Sequence, residues 1–289
     1  MTIKSYFGSR YGSDGVLLQA DFSQLEVIVL AWLSQDPLLI EDIVSGMDLH
    51  CQSAAFITGK DYQYIYDQVQ SGDQTWVNIR KASKAPSFQL SYGAGYKGIA
   101  AKTTLSESQA KKFITNYYDR YTCVKEWQEE QIALVAGKAV YSGRITPKGF
   151  PSMKSQLVTA TGRRLTFHEQ DTPDFIKEAT NFSPTKIKNY PVQGTAYDIV
   201  ALAISSLWDH IKTAELERVH FVNTIHDSVL KDLHKDSLTS VLKYVRPCLT
   251  NIDALMQDRY GVEFNLPISV DIEVGPTWHN METLDARTY

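Results

Sequence analysis

Two aspartates, Asp21 and Asp227, stand where carboxylates can do phosphate chemistry. Asp21 closes the apolar run GVLLQAD, directly before a helical pattern. Asp227 lies between two short apolar runs, 219–225 and 229–233, a pattern that predicts a hairpin with His226, Asp227 and Ser228 at its tip. A carboxylate at a strand end is held rigidly while its oxygens face a cleft, and two of them brought together can bridge a pair of Mg²⁺ ions. Two metals about 3.5–4 Å apart activate an attacking hydroxyl and stabilise a leaving phosphate oxygen. A lone Asp in such a place is usually a turn residue or a helix cap. The pair gains its weight from what lies between.

Between them runs Arg80-x-x-x-Lys84-x-x-x-Phe88-x-x-x-Tyr92-Gly93. Steps of four on a helix advance about 40° each, so these side chains share one slowly turning stripe. The cations suit a triphosphate, with Arg80 able to bind it in a forked manner. The rings suit stacking on a sugar and a base. A solvated basic face beside an ordinary core stripe is the bland alternative, and the full pattern is much rarer by chance.

The elements that must hold these residues are readable in outline. A strand is predicted over 15–21 and a helix from Ser23 to near Pro37. Asp48 caps a helix through Ala55, and 74–93 is helical in pattern except at Pro86. Ser106 and Gln109 form a capping box for a helix to about Tyr121, and 124–135 reads as another. The turn-rich stretch 140–167 predicts hairpins. Helices follow at 193–212 and 236–258, and a last strand at 268–274. Strands and long helices alternate in no regular βαβ order, which predicts an α+β fold.

Composition narrows the class without choosing a function. The 289 residues suffice for one large domain or two smaller ones. A hydrophobic share of 43% and a charged share of 21% are ordinary for a globular protein. No apolar run is long enough for a bilayer, and the N-terminal residues lack a secretory signal. Cys51, Cys123 and Cys248 are scattered, which suggests neither a zinc site nor a disulfide framework. The expected compartment is the cytoplasm, that of a host if the protein is viral. A net charge of −4 argues against a wholly basic surface but leaves room for one basic cleft.

The motifs resemble those of family A (DNA polymerase I type) DNA polymerases, with a phage-like cast. Asp21-Phe22-Ser23-Gln24-Leu25-Glu26, followed by Leu33-Ser34-Gln35-Asp36-Pro37, resembles motif A; Arg80 to Gly93 resembles motif B; Ile225-His226-Asp227 resembles motif C. Asp48-Leu49-His50, Thr161-Gly162-Arg163-Arg164 and Asn189-Tyr190-Pro191-Val192-Gln193-Gly194-Thr195-Ala196 are shorter matches in the same order. Together they run from about Ile3 to Trp278.

The resemblance implies a right-hand polymerase fold, with a palm built on an antiparallel sheet and helical fingers, lacking thumb and exonuclease domain. It divides the chain into a first palm segment at 1–50, fingers at 51–182 with a hairpin-rich insertion near 138–168, and a second palm segment at 183–289. It implies template-directed DNA synthesis from dNTPs on a primer 3′-OH, with two Mg²⁺ ions, or Mn²⁺, held by Asp21, Asp227 and the backbone carbonyl of Phe22. Lys84 would meet the triphosphate and protonate the pyrophosphate, with Arg80 and His50 on the outer phosphates. Phe88 would pack on the deoxyribose, which implies discrimination against dideoxynucleotides. Tyr92 would stack near the templating base, Gln24 would join the nucleotide site, and Glu26 would exclude a ribose 2′-hydroxyl. Gln193, Asn189 and His226 would touch primer–template, and Arg163 and Arg164 would contact phosphate.

Three departures from the family pattern carry expectations of their own. Ser228 stands where many members have Glu, so the third carboxylate is missing. Pro86 lies inside the predicted fingers helix and should kink it. The chain starts only about twenty residues before Asp21, so it is expected to be one half of a split polymerase, or a fragment, with a separate chain supplying thumb and 3′–5′ exonuclease domains. The competing readings are a catalytically decayed remnant that binds DNA or a partner, and a two-metal nuclease, which gives the Arg80 stripe no role.

Overall fold

The computed structural model describes residues 2–174 and 176–284. Along the chain come β1 (Gly15–Phe22), α1 (Leu25–Ser34), α2 (Pro37–Val44), α3 (Leu49–Thr58), α4 (Tyr62–Gln70), α5 (Gln74–Ser91), α6 (Tyr96–Lys102), α7 (Glu107–Arg120) and α8 (Thr122–Gly137). Then follow β2 (Val140–Ile145), β3 (Pro151–Val158), β4 (Arg164–His168), β5 (Gln170–Asp171), β6 (Thr180–Asn181) and α9 (Pro184–Thr213). Last come β7 (Val219–Ile225), β8 (Ser228–His234), α10 (Lys235–Thr250), α11 (Ile252–Tyr260), β9 (Val270–Gly275) and β10 (Glu282–Thr283). The chain forms two compact units, one of Met1–Leu25 with Thr195–Tyr289 and one of Glu26–Gly194. The expected palm and fingers boundaries lay at 50/51 and 182/183.

The first unit is built on a five-stranded sheet in the order β10-β9-β1-β8-β7, antiparallel throughout. Alternation gives the sheet two unlike faces. Ala20, Phe22, Val229, Leu233, Val270 and Ile272 are buried. α10 packs on the sheet and buries Val241, Leu242, Val245, Cys248 and Leu249. Gln19, Asp21, Asp271 and Glu273 remain accessible on the other face.

In the second unit, α3, α4 and α5 share a core of Cys51, Ala54, Ala55 and Ile65, with Trp76 and Ile79 against it. Two buried acids lock the helices that follow. Asp36 caps α2 and also accepts from the amide of Cys123 at the start of α8 (2.9 Å). Asp42 accepts from Arg120 (2.6 Å) and from the Tyr121 hydroxyl (2.6 Å). Both acids therefore have the hydrogen bonds that burial demands. The expected hairpins form a three-stranded sheet, β2-β3-β4, over a core of Val135, Leu157, Phe167, Phe182 and Ile187.

Several boundaries differ from the sequence expectations for identifiable reasons. The helix expected from Ser23 to near Pro37 is α1, and a further helix, α2, follows it unforeseen because Asp36 and Pro37 begin a new one as N-cap and first residue. α5 runs unbroken through Pro86, which is buried. α9 starts nine residues before the expected 193 and carries Pro191 inside it. The helix expected over 236–258 is interrupted at Asn251. α4, α6 and the short edge strand β10 went unforeseen. Among the described residues no helix is long and apolar enough to cross a membrane.

Candidate active site

The first unit brings Asp21 and Asp227 together. β1 pairs with β8 so that Asp21 lies opposite Ser228, one residue beyond the tip of the β7–β8 hairpin. The amide of Phe22 donates to the carbonyl of Asp227 (3.2 Å), tying that tip to the end of β1. The side chains of Asp21 and Asp227 lie close enough that each carboxylate feels the charge of the other. Burial and then the Asp227 charge push the Asp21 carboxyl up from 3.8 to about 6, with Asp271 and Glu273 adding to the effect.

Local backbone geometry marks the same place. His226 has φ of 54° and Gln24 has φ of 56°, a left-handed region that non-glycine residues enter at a cost. His226 opens a two-residue hairpin turn, a position usually held by Gly when the first φ is positive. Its side chain is exposed, as is that of Gln24. Ser228 is buried, and its Oγ donates to the carbonyl of Ile225 (3.0 Å), closing the hairpin.

The donor set suits a hard divalent cation. Two mutually repelling carboxylates are relieved by positive charge, and Mg²⁺ typically takes one or two carboxylates while keeping several waters. Among the described residues no three His, Cys, Asp or Glu side chains converge to hold an ion by themselves.

The second unit holds the residues expected at the nucleotide other than Gln24. Arg80, Lys84 and Phe88 lie along the open side of α5, while Ser83, Pro86 and Leu90 line its buried side. His50, in the first turn of α3, meets the Phe88 ring edge-on at 6.5 Å. Burial and then the Lys84 charge lower its pKa, which favours the neutral imidazole until an anion beside it restores the proton. Asp48 caps α3 through the amides of His50 and Cys51. Its other oxygen accepts from Arg80 Nε (2.7 Å), fixing the guanidinium. Tyr92 caps the end of α5. Gly93 follows at φ 76°, and a Cβ there would lie 3.1 Å from the Thr185 Cα, so both conformation and space require glycine. Glu26 sits in the first turn of α1, where a carboxylate is favoured by the helix dipole.

The residues expected at DNA are also placed. Asn189 and Gln193 are one turn apart on α9, and Gln193 is exposed. Asn189 Oδ1 is buried without a hydrogen-bond partner among the described residues. The Arg163 stem packs over Gly194, where a Cβ would come within 3.0 Å of it, and Arg164 is exposed at the start of β4.

Residues 1–280 match the profile of "DNA polymerase family A". The chain belongs to that family. Among its family A relatives, the DNA polymerase I of Lactococcus lactis subsp. cremoris is 25% identical over 92% of this chain and 26% of its own length. The DNA polymerase of Bacillus phage SP01 is 28% identical over 94% of this chain and 27% of its own length. The chain thus spans about a quarter of the curated relatives it matches. In fold it resembles the "POL domain of Pol1 from M. smegmatis complex with DNA primer-template and dNTP", with a TM-score of 0.67 at 23% identity over 96% of this chain and 42% of that one. The polymerase fold with its antiparallel sheet is therefore established.

Sequence reasoning missed two features of the candidate site. One is the Asp48–Arg80 ion pair. The other is the acidic pair Asp271 and Glu273 beside Asp21. The alternating acids in VDIEV were the available signal, since period-2 spacing puts both on one strand face.

Proposed function

We propose that this chain is the palm and fingers of a DNA-directed DNA polymerase that transfers a nucleotide from a dNTP to a primer 3′-OH. The observation that carries the reading is the meeting of Asp21 and Asp227, which come from distant parts of the chain and are brought together by the pairing of β1 with β8 and the bond from the Phe22 amide to the Asp227 carbonyl. Asp21, Asp227 and the Phe22 carbonyl hold two Mg²⁺ ions, with Mn²⁺ as a substitute. Ions held there would lower the pKa of the primer hydroxyl and offset the negative charge of the departing pyrophosphate. Lys84, Arg80 and His50 neutralise the triphosphate, and Lys84 donates the proton that the leaving group needs. Phe88 and Tyr92 hold sugar and base, Glu26 and Gln24 fit the deoxyribose, and His226, Gln193, Asn189, Arg163 and Arg164 grip primer–template. Rate comes from positioning and charge neutralisation rather than covalent chemistry.

The reading includes a separate chain that supplies thumb and 3′–5′ exonuclease domains. Primer extension with Mg²⁺ and dNTPs, with and without that chain, beside Asp227→Ala, tests it. Extension that disappears in the variant is expected. Nicking without dNTPs would select a nuclease, and no activity with the second chain present would select a binding remnant.

A further inference from the structure

The pairing of β1 with both neighbours sets Ser228, Asp21 and Asp271 in one row across the sheet. Register partners in an antiparallel sheet point to the same face, with Cβ atoms about 4.5–5.5 Å apart. Asp21 is thus flanked on one side by a hydroxyl and on the other by a carboxylate. The hydroxyl brings no charge to the row: Ser228 is buried, and its Oγ donates to the Ile225 carbonyl. The carboxylate is exposed, and its Oδ2 accepts from Ser23 Oγ (3.0 Å), two residues past Asp21. Glu273 shares the face but pairs with Gln19, one pleat further along β1.

We propose that Asp271 is a positioning residue of the metal site: from the flank of Asp21 it supplies the third negative charge that position 228 lacks, and holds water on the ions bound by Asp21 and Asp227. The inference rests on the polymerase reading of that pair. Asp271 does not converge with the pair on one point. It acts through its charge and through water, in the way that outer carboxylates commonly raise metal affinity by about 10–100-fold. Glu273 is too far along the strand to do the same.

Mn²⁺ binding to the whole chain, followed by electron paramagnetic resonance without DNA or nucleotide, reads this directly. Asp271→Asn keeps the shape and the acceptor for Ser23 while removing the charge. It should weaken Mn²⁺ binding about tenfold or more, Asp271→Glu should recover most of the loss, and Glu273→Gln should change little. Wild-type affinity in Asp271→Asn, alongside lost binding in Asp227→Asn, would overturn the role of Asp271 alone. Wild-type affinity in Asp227→Asn as well would overturn the metal reading of the pair, and this inference with it. An equal loss in Glu273→Gln would replace a specific flanking role with diffuse charge and would also count against it.

Discussion

Asp21 and Ser228 face each other across β1 and β8, so the residue next to the hairpin aspartate is buried against the other aspartate's strand. A glutamate at 228 would lose the bond to the Ile225 carbonyl and press a further charge on Asp21. Ser228→Glu is therefore expected to lower the melting temperature of the metal-free protein. Divalent cation should recover part of that loss, and extension activity should change by less than about tenfold, because Asp271 already carries the flanking charge. A rise in activity beyond about a hundredfold, roughly 2.7 kcal/mol of barrier, would mean that the natural site is badly compromised.

Asp21 makes metal-free stability depend on pH in a defined direction. Its carboxyl is raised from 3.8 to about 6 in the fold, by burial first and then by Asp227. Between those values the folded chain keeps a proton that the unfolded chain has released, so stability falls as pH rises through the window. Above about 6 the penalty is complete. Asp21→Asn carries no such charge, and in chelator at pH 7.5 it should be more stable than wild type by about 1 kcal/mol, a modest figure because the group is half open to solvent. At pH 3.8 or below the two should converge. Denaturant midpoints at both pH values check this, and a gap that widens on acidification contradicts it.

Asp48 joins a helix cap to a nucleotide-binding candidate, and the two roles can be separated. Asn caps helices about as well as Asp but cannot form the ion pair with Arg80. Asp48→Asn should leave stability within about 0.5 kcal/mol while raising the KM for dNTP several-fold with a smaller effect on kcat. Asp48→Ala should add about 1 kcal/mol of destabilisation from the lost cap. Steady-state kinetics beside thermal unfolding distinguish the two, and an unchanged KM in Asp48→Asn would remove Arg80 positioning from its duties.

What the sequence made legible follows from how local each signal is. The capping box at Ser106 and Gln109 and the cap at Asp48 are short-range geometry, and both form. The β7–β8 hairpin was visible because apolar runs flank a polar tip. The first helix ends near Pro37 as expected, but α2 was missed, because proline both ends and begins helices and only the Asp36 side chain bonding to the amides of Leu38 and Leu39 marks a start. The row Ser228–Asp21–Asp271 was not legible, since strand order and register depend on long-range pairing. Nor was the burial of Lys231, which reads as an ordinary polar residue in the strand SVLKDLH.

The turn at His226 is expected to trade stability for function. A positive φ costs a non-glycine residue about 1 kcal/mol or more, and the side chain is exposed, so packing does not repay it. His226→Gly should be as stable as wild type or up to about 1 kcal/mol more stable, after the entropy that glycine adds to the unfolded chain. It should also bind primer–template more weakly. Lower stability in the variant would show that the imidazole has a structural partner and that the strain account is incomplete.

Lys231 offers a test that leaves the metal site untouched. Its side chain is wholly buried at the centre of β8, with Nζ 5.1 Å from the Phe221 ring and no hydrogen-bond partner among the described residues. Burial lowers its pKa from 10.5 to about 7, with Cys248 opposing the effect. The folded chain therefore binds fewer protons than the unfolded chain between about 7 and 10.5, so stability rises with pH across that window and is lowest below it. A shift of that size corresponds to on the order of 5 kcal/mol. Lys231→Met keeps the length of the side chain and removes the ionisable group, and should gain about 2–4 kcal/mol at pH 7. Its urea midpoint should stay nearly flat from pH 7 to 10 while that of the wild type climbs. Parallel slopes in the two proteins would mean that Lys231 keeps its proton in the fold, and that a partner for its ammonium exists after all.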